Sequence, residues 1–294
     1  MDLYDSVVAR TVERGGTAVA LGGLDSGKTS FCRMCAAVAV RLGNTVAYVD
    51  SDVGQSAVGP PTTIGLKFIS SADDLEPERL ARADAIYFVG STSPKGHMLP
   101  MVIGAMKLVE QARAAGADLI VVDTTGFIHG TQGQVLKIHK VEALRPEAVI
   151  GFQRGGELEP ILGSIRRMLP PEVDALSVDP AVEATSVEER ASHRQEGLRR
   201  FFEPPLNHWK VKTSVFVPSI PPELDPSSLD RLLVGLEDGK GNCIGLGILE
   251  HREDGLRMIS TEGEGAKALR LGSVRVTDDF GTTGVDLRDI FISD

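Results

Sequence analysis

Residues 22 to 29 read Gly-Gly-Leu-Asp-Ser-Gly-Lys-Thr and fill every fixed position of GxxxxGK(S/T), between an apolar run and a segment with helical character. Glycines at this spacing let successive backbone N–H groups turn toward one point, and a helix starting there adds the partial positive charge of its amino end. The implied chemistry is the grip of a nucleoside triphosphate. Gly22, Gly23, Leu24, Asp25, Ser26, Gly27, Lys28, Thr29 and Ser30 form the cradle. Lys28 is expected to reach the β- and γ-phosphates, and the Thr29 hydroxyl to ligate Mg²⁺.

Two other apolar runs end on carboxylates, TVAYVDSD over 45–52 and LIVVD over 119–123. Ligands of parallel sheets sit beyond the carboxyl ends of the strands, so Asp52 and Asp123 are expected to hold Mg²⁺ directly or through water. Asp50 stays open between that role and a solvated strand-end acid or a helix cap. A carboxylate beside a γ-phosphate can also align an acceptor and take its proton. Whether the acceptor is a hydroxyl or water is not set by these residues. Cys32 and Cys35 share a helix face, and with Cys243 alone elsewhere there is no second pair to make a metal site. Packing against the sheet is the expected role.

The elements that must position these groups are also legible. Apolar runs of strand length alternate with helix-length segments from residue 17 onward, including TSFCRMCAAVAVRLG and MVIGAMKLVEQARAAG. This predicts an α/β P-loop NTPase fold, a mostly parallel sheet with helices on both faces. A charged helix is expected over 186–202. After Trp209 the pattern becomes short β-like runs between Gly and acidic turns, which predicts a small C-terminal β domain. The predicted division is a P-loop domain over 1–215 and a β-rich domain over 216–294, linked by PSIPPELDP.

Of 294 residues, 42% are hydrophobic, ample for such a core. The formal charge of −10 excludes a broad, non-specific grip on nucleic acid, so any such contact must be local. No run is long enough to span a bilayer, the amino terminus is not a signal peptide, and three cysteines make no disulfide framework. A soluble, cytoplasmic protein without membrane partners is expected.

In order along the chain, LGGLDSGKTS, VDSDVGQSAVGPPTTIGL, YFVGSTSPKGH, VVDTTGFIHG and SVEERASHRQEGLRRFF resemble the polynucleotide 5′-hydroxyl kinase family of P-loop proteins. That family includes the RNA kinase subunit of the mRNA 3′-end processing machinery, pre-rRNA-processing kinases and archaeal relatives. The resemblance implies a prokaryotic member that transfers the γ-phosphoryl group of ATP or GTP, with Mg²⁺, to the 5′-OH end of RNA or DNA. It makes Lys28, Asp52, Arg190 and Arg194 catalytic, with Asp52 activating the 5′-hydroxyl. Gln55 would lie near the acceptor strand. Thr124, Thr125, Gly126 and Phe127 would form a clasp on phosphates and nucleic acid, and the two arginines a lid.

Physical grounds support the lid. A spacing of four puts Arg190 and Arg194 on one helix face, and 190–212 holds six Lys or Arg against two Glu in an acidic chain. The alternative is a solvated helix with Glu–Arg pairs. Phe127 stands where the resembled kinases carry tryptophan, which leaves less stacking area and no indole N–H. The eukaryotic members carry a whole domain ahead of the P-loop, whereas this chain begins close to it. Gln153 and Arg154 follow a predicted strand where a base is expected. Two other functions fit the same residues: a nucleotide-binding switch or weak NTPase acting as a scaffold in RNA processing, and a small-molecule kinase or ligase.

Overall fold

The computed structural model describes residues 3–221 and 223–291. Its first half runs α1 (Leu3–Arg14), β1 (Gly16–Gly22), α2 (Lys28–Arg41), β2 (Val46–Ser51), β3 (Thr63–Ile69), α3 (Pro77–Leu80), β4 (Ala85–Phe88), α4 (Met98–Ala114), β5 (Leu119–Thr124) and α5 (Gly130–Leu144). Then come β6 (Ala148–Gln153), α6 (Glu159–Met168), β7 (Glu172–Ser177), α7 (Val187–Phe201) and β8 (Asn207–Lys210). The C-terminal part holds β9 (Phe216–Val217), β10 (Leu232–Glu237), β11 (Cys243–Arg252), β12 (Gly255–Ser260), β13 (Ala268–Val276), β14 (Thr282–Gly284) and α8 (Leu287–Phe291).

The centre is a parallel array in the order β2, β5, β1, β6, β7. Strands buried on both faces need continuous apolar runs, which is what β1, β2, β5 and β6 carry. One face of the sheet is packed by α4, α5 and α6, and the other by α1 and α2. Cys32 and Cys35 are buried in the second of these cores, and burial pushes the Cys35 thiol up to about 12. The mostly parallel sheet holds in the P-loop part, where β3 turns back antiparallel to β2 and β4 antiparallel to β3; the C-terminal strands beyond pair mostly antiparallel. Beyond β4 the sheet continues, because Cys243 of β11 pairs with Ile86 and carries β10, β13 and β14 outward.

The charged helix expected over 186–202 is α7. Ser186 and Glu189 close a capping box, each side chain accepting from the other's backbone N–H at 3.1 and 2.7 Å. Its Leu198, with Phe202 just beyond, packs on Phe88, Leu233 and Ile248, which fixes the helix over the junction of β4 and the C-terminal strands. No helix among the described residues is long and apolar enough to cross a membrane.

The junction leaves little slack. A Cβ built on Gly235 would lie 2.6 Å from the ring of fully buried Phe88, and Gly272 and Gly90 meet the same ring. Gly235→Ala should therefore lower the unfolding free energy by about 1–3 kcal/mol, the usual cost of overpacking. Urea unfolding reads this as a lower midpoint at constant slope, and an unchanged midpoint would contradict the packing.

Candidate active site

The phosphate-binding loop follows β1 and opens α2. Asp25 and Gly27 take positive φ of 49° and 88°, so the chain turns sharply and presents the amide end of α2. Gly27 caps that helix without any side-chain bond, which leaves the first-turn N–H groups for an anion. A Cβ on Gly22 would meet Ser26 Oγ at 2.5 Å and the Phe152 carbonyl at 2.9 Å, so the loop closes only over glycine there. Lys28 is buried, and its ammonium donates to the Gly23 carbonyl and, at 3.2 Å, to Ser26 Oγ. The cradle fits a triphosphate: it offers the amide end of a helix and a buried cation.

The strand ends bring the acids together. Asp50 of β2 and Asp123 of β5 are register partners. Asp123 accepts from the Thr29 hydroxyl at 2.5 Å, from Tyr48 at 3.3 Å and from the Thr124 amide at 2.8 Å. A threonine hydroxyl held by a strand-end carboxylate suits a divalent cation, so Thr29 and Asp123 are residues that would hold Mg²⁺. Burial pushes the Asp123 carboxyl up. Asp50 is buried rather than solvated: it accepts the amides of Asp52, Ala57 and Val58 and so anchors the following loop. Burial, and then its carboxylate neighbours Asp123 and Asp52, push it well up. Asp52 is half-buried, and its Oδ1 accepts the Gly54 and Gln55 amides at 3.0 and 3.1 Å.

That loop reaches the lid. Gln55 Nε2 donates to the Arg190 carbonyl at 3.2 Å. The Arg190 guanidinium pairs with the Asp25 carboxylate of the phosphate loop, which also accepts from the Thr185 amide and hydroxyl at 3.1 Å. Arg194, four residues on, keeps a buried Nε without a partner, and burial followed by its neighbour Arg190 pushes its guanidinium pKa down. Two crowded guanidiniums with an unused donor suit an incoming anion. Arg154 clamps the loop from β6, donating to the Asp25 carbonyl at 2.7 Å. Gln153 gives its amide N–H to Glu159 at 2.7 Å, and its buried Oε1 has no partner.

The clasp segment abuts the phosphate loop. A Cβ on Gly126 would lie 2.5, 2.7 and 2.9 Å from Leu24 Cδ2, N and Cα. Thr124 donates to the Ala20 carbonyl at 2.7 Å. Phe127 is partly buried and packs against the core. Two residues that motif reading passed over complete the site. Lys137 and Lys140 of α5 are both fully buried: Lys137 donates to Thr124 Oγ1 at 2.9 Å and to the Thr125 carbonyl, and Lys140 to Ser51 Oγ at 2.8 Å. Burial pushes the Lys137 ammonium well down and the Lys140 ammonium to about 8, although Asp52, Asp50 and Asp123 favour its charge. The signal was in the sequence, since both lie on the face of α5 that buries Gly133, Leu136, Val141 and Leu144.

Residues 22–204 match the model of the mRNA cleavage and polyadenylation factor CLP1 P-loop family. The chain belongs to this family. It is 30% identical to the polyribonucleotide 5′-hydroxyl-kinase of Pyrococcus horikoshii over 95% of this chain and 91% of that one. It is 31% identical to the polyribonucleotide 5′-hydroxyl-kinase of Thermococcus kodakarensis over 93% and 92%. The solved Clp1p of a Clp1p–Pcf11p complex shares the fold with a TM-score of 0.71 at 15% identity, covering 92% of this chain and 78% of that one. Membership extends over the loop, both acidic strand ends, the clasp segment and the lid helix, the parts that touch one another here.

Two outcomes test this geometry. Gly126→Ala should force Leu24 and the phosphate loop apart and weaken nucleotide binding about tenfold or more, since small misplacements cost that much. Titration with a fluorescent triphosphate checks it, and affinity within twofold of the parent would contradict the contact. Lys140 gives a pH signature. From about pH 8 to the unfolded pKa near 10.4, the unfolded chain holds a proton that the folded chain has lost, so this lysine's penalty is relieved as pH rises. The buried thiols and Tyr48 titrate with the opposite sign above about pH 9. The comparison must therefore be with Lys140→Met. The unfolding free energy of the parent relative to that variant should climb across this window, by at most about 3 kcal/mol. A flat difference in urea unfolding would contradict it.

Proposed function

We propose that this chain is a polynucleotide 5′-hydroxyl kinase, a phosphotransferase that moves the γ-phosphoryl group of ATP or GTP onto the 5′-OH end of an RNA or DNA strand. The observation that carries this reading is the loop after β2. Asp52 is held there by the Gly54 and Gln55 amides while Gln55 donates to the Arg190 carbonyl, so one loop joins an acidic side chain to the backbone of the lid helix. A switch needs only the phosphate loop; a carboxylate fixed between donor and lid provides a place for an acceptor. The names carried by the archaeal relatives support the same reaction.

In this reading Lys28 leaves the Gly23 carbonyl and Ser26 for the β- and γ-phosphate oxygens. Thr29, Asp52 and Asp123 would hold Mg²⁺, which when bound neutralises charge on the β- and γ-phosphates. Asp52 aligns the 5′-hydroxyl and accepts its proton as the oxygen attacks phosphorus. The new O–P bond forms as the bond to the β–γ bridging oxygen breaks, and the nucleoside diphosphate leaves with those electrons. Arg190 and Arg194 steady the charge on the transferring group. The clasp, with Thr124, Thr125, Gly126 and Phe127, borders the donor side, and Gln55 the acceptor side. The reaction belongs in the cytoplasm, where the three free cysteines stay reduced.

Purified protein with γ-labelled ATP or GTP and Mg²⁺ should label a 5′-OH oligonucleotide, with RNA and DNA both supplied. Lys28→Ala should abolish labelling, Asp52→Asn should lower kcat by about 10²–10⁴, and Arg190→Ala by about 10²–10³. No label above the Lys28→Ala background on either strand type would overturn the reading. Labelling of free nucleosides as readily as of ends would move it to small acceptors.

A further inference from the structure

Lys137 is unexplained by folding. It has no exposed surface, and it sits on α5 amid an apolar face. Burying an ammonium costs free energy that its contacts must offset, and methionine of similar length would fill the space without that cost. Its contacts are specific. The ammonium donates to Thr124 Oγ1 at 2.9 Å and to the carbonyl of Thr125, so it holds two consecutive residues of the clasp from beneath. Thr124 in turn donates to the Ala20 carbonyl at 2.7 Å, on the strand that leads into the phosphate loop. The Thr124 amide donates to Asp123, whose other oxygen accepts from Thr29. One cation thus begins a hydrogen-bond chain through the clasp to both sides of the nucleotide cradle.

The backbone explains why such a hold is needed. Gly126 lies against Leu24 with no room for a methyl group, and Gly133 of α5 sits against the Ile128 backbone, where a Cβ would be 2.5 Å from a carbonyl carbon. The clasp is therefore wedged between α5 and the phosphate loop: the sheet holds Thr124, the last residue of β5, opposite Ser51 of β2, and the bonds from Lys137 set the direction in which the Thr125 peptide leaves the strand. Loss of the cation would free the Thr125 peptide to rotate where it leaves β5, without undoing the core on either side.

We propose that Lys137 is a positioning residue of the phosphoryl-transfer site: its ammonium fixes the Thr124–Thr125 peptide so that the clasp closes in register on the phosphate loop, at a cost to fold stability. The proposal rests on the kinase reading for its effect on rate, and on the structure alone for its effect on the clasp. It is tested with Lys137→Met, which removes charge and donors, and Lys137→Gln, which keeps a neutral donor. Three measurements are made on the full chain: thermal unfolding, amide hydrogen exchange over 124–127, and steady-state labelling of a 5′-OH oligonucleotide.

The Met variant should unfold at the parental temperature or above it, yet exchange the 124–127 amides about tenfold faster or more. Its kcat should fall about tenfold or more with the nucleotide KM within threefold, and the Gln variant should recover part of both losses. A merely structural lysine predicts the reverse, a lower unfolding temperature with kcat and clasp exchange within twofold of the parent, and that result overturns the proposal. A Met variant that does not fold contradicts the stability cost, and the Gln variant then decides the positioning by exchange. Exchange needs no turnover, so a parent that labels no acceptor would fell the kinase reading while the exchange comparison still judged Lys137.

Discussion

Asp50 and Asp123 face each other across β2 and β5, with Asp52 two residues beyond, so three carboxylates meet where adjacent parallel strands end. Like charges in a buried crevice are tolerated only when donors and cations surround them. Much of the site follows from that requirement. Asp50 is consumed by three amides of the loop it anchors, and Asp123 by Thr29, Tyr48 and Thr124. Three ammonium groups stand among these acids: Lys28 from the phosphate loop, and Lys137 and Lys140 from α5. Removing all the cations together would strand the carboxylates in low dielectric, which is the costly case. The same balance leaves Asp52, the half-buried member, beside the crevice with its Oδ1 oriented by backbone amides.

The phosphate loop is tied into this arrangement at its tip as well as its base. Asp25 carries the contacts of Thr185 and Arg190, Arg154 holds its carbonyl from β6, and Gly126 presses on Leu24. Lid, clasp and loop therefore share one small residue cluster. The Arg190 guanidinium, satisfied by Asp25, can exchange one anion for another without losing its charge partner, and Arg194 brings a donor that protein groups leave unused. In the proposed function such a lid would respond to phosphate by competition between anions, with no need for a large movement of α7, which Leu198 and Phe202 fix to the sheet.

Much of this could be read from the residues alone. The phosphate loop, the acidic ends of β2 and β5, the helix over 186–202 and the mostly parallel sheet followed from motif spacing and apolar runs, because each rests on local patterns. The antiparallel β3 did not, since TIGLKFI is ambiguous in isolation and its place depends on the loop that Asp50 organises. The continuation of the sheet through Cys243 and Ile86 was equally hidden, as a pairing across so many residues leaves no local mark. Lys137 and Lys140 were legible only after α5 was known to exist. A lysine in an apolar stripe looks like a break in the pattern until the stripe is seen to face three carboxylates.

The central claim is that donor, acceptor and lid meet at the loop carrying Asp52. The most direct test is a crystal structure of the chain with a non-hydrolysable triphosphate, Mg²⁺ and a short 5′-OH oligonucleotide. The account predicts Lys28 withdrawn from the Gly23 carbonyl onto the phosphates, the terminal 5′-oxygen within hydrogen-bond reach of Asp52, and Arg190 and Arg194 on the γ-phosphate. An oligonucleotide end bound away from Asp52, with Arg190 still on Asp25 above a filled cradle, would contradict it.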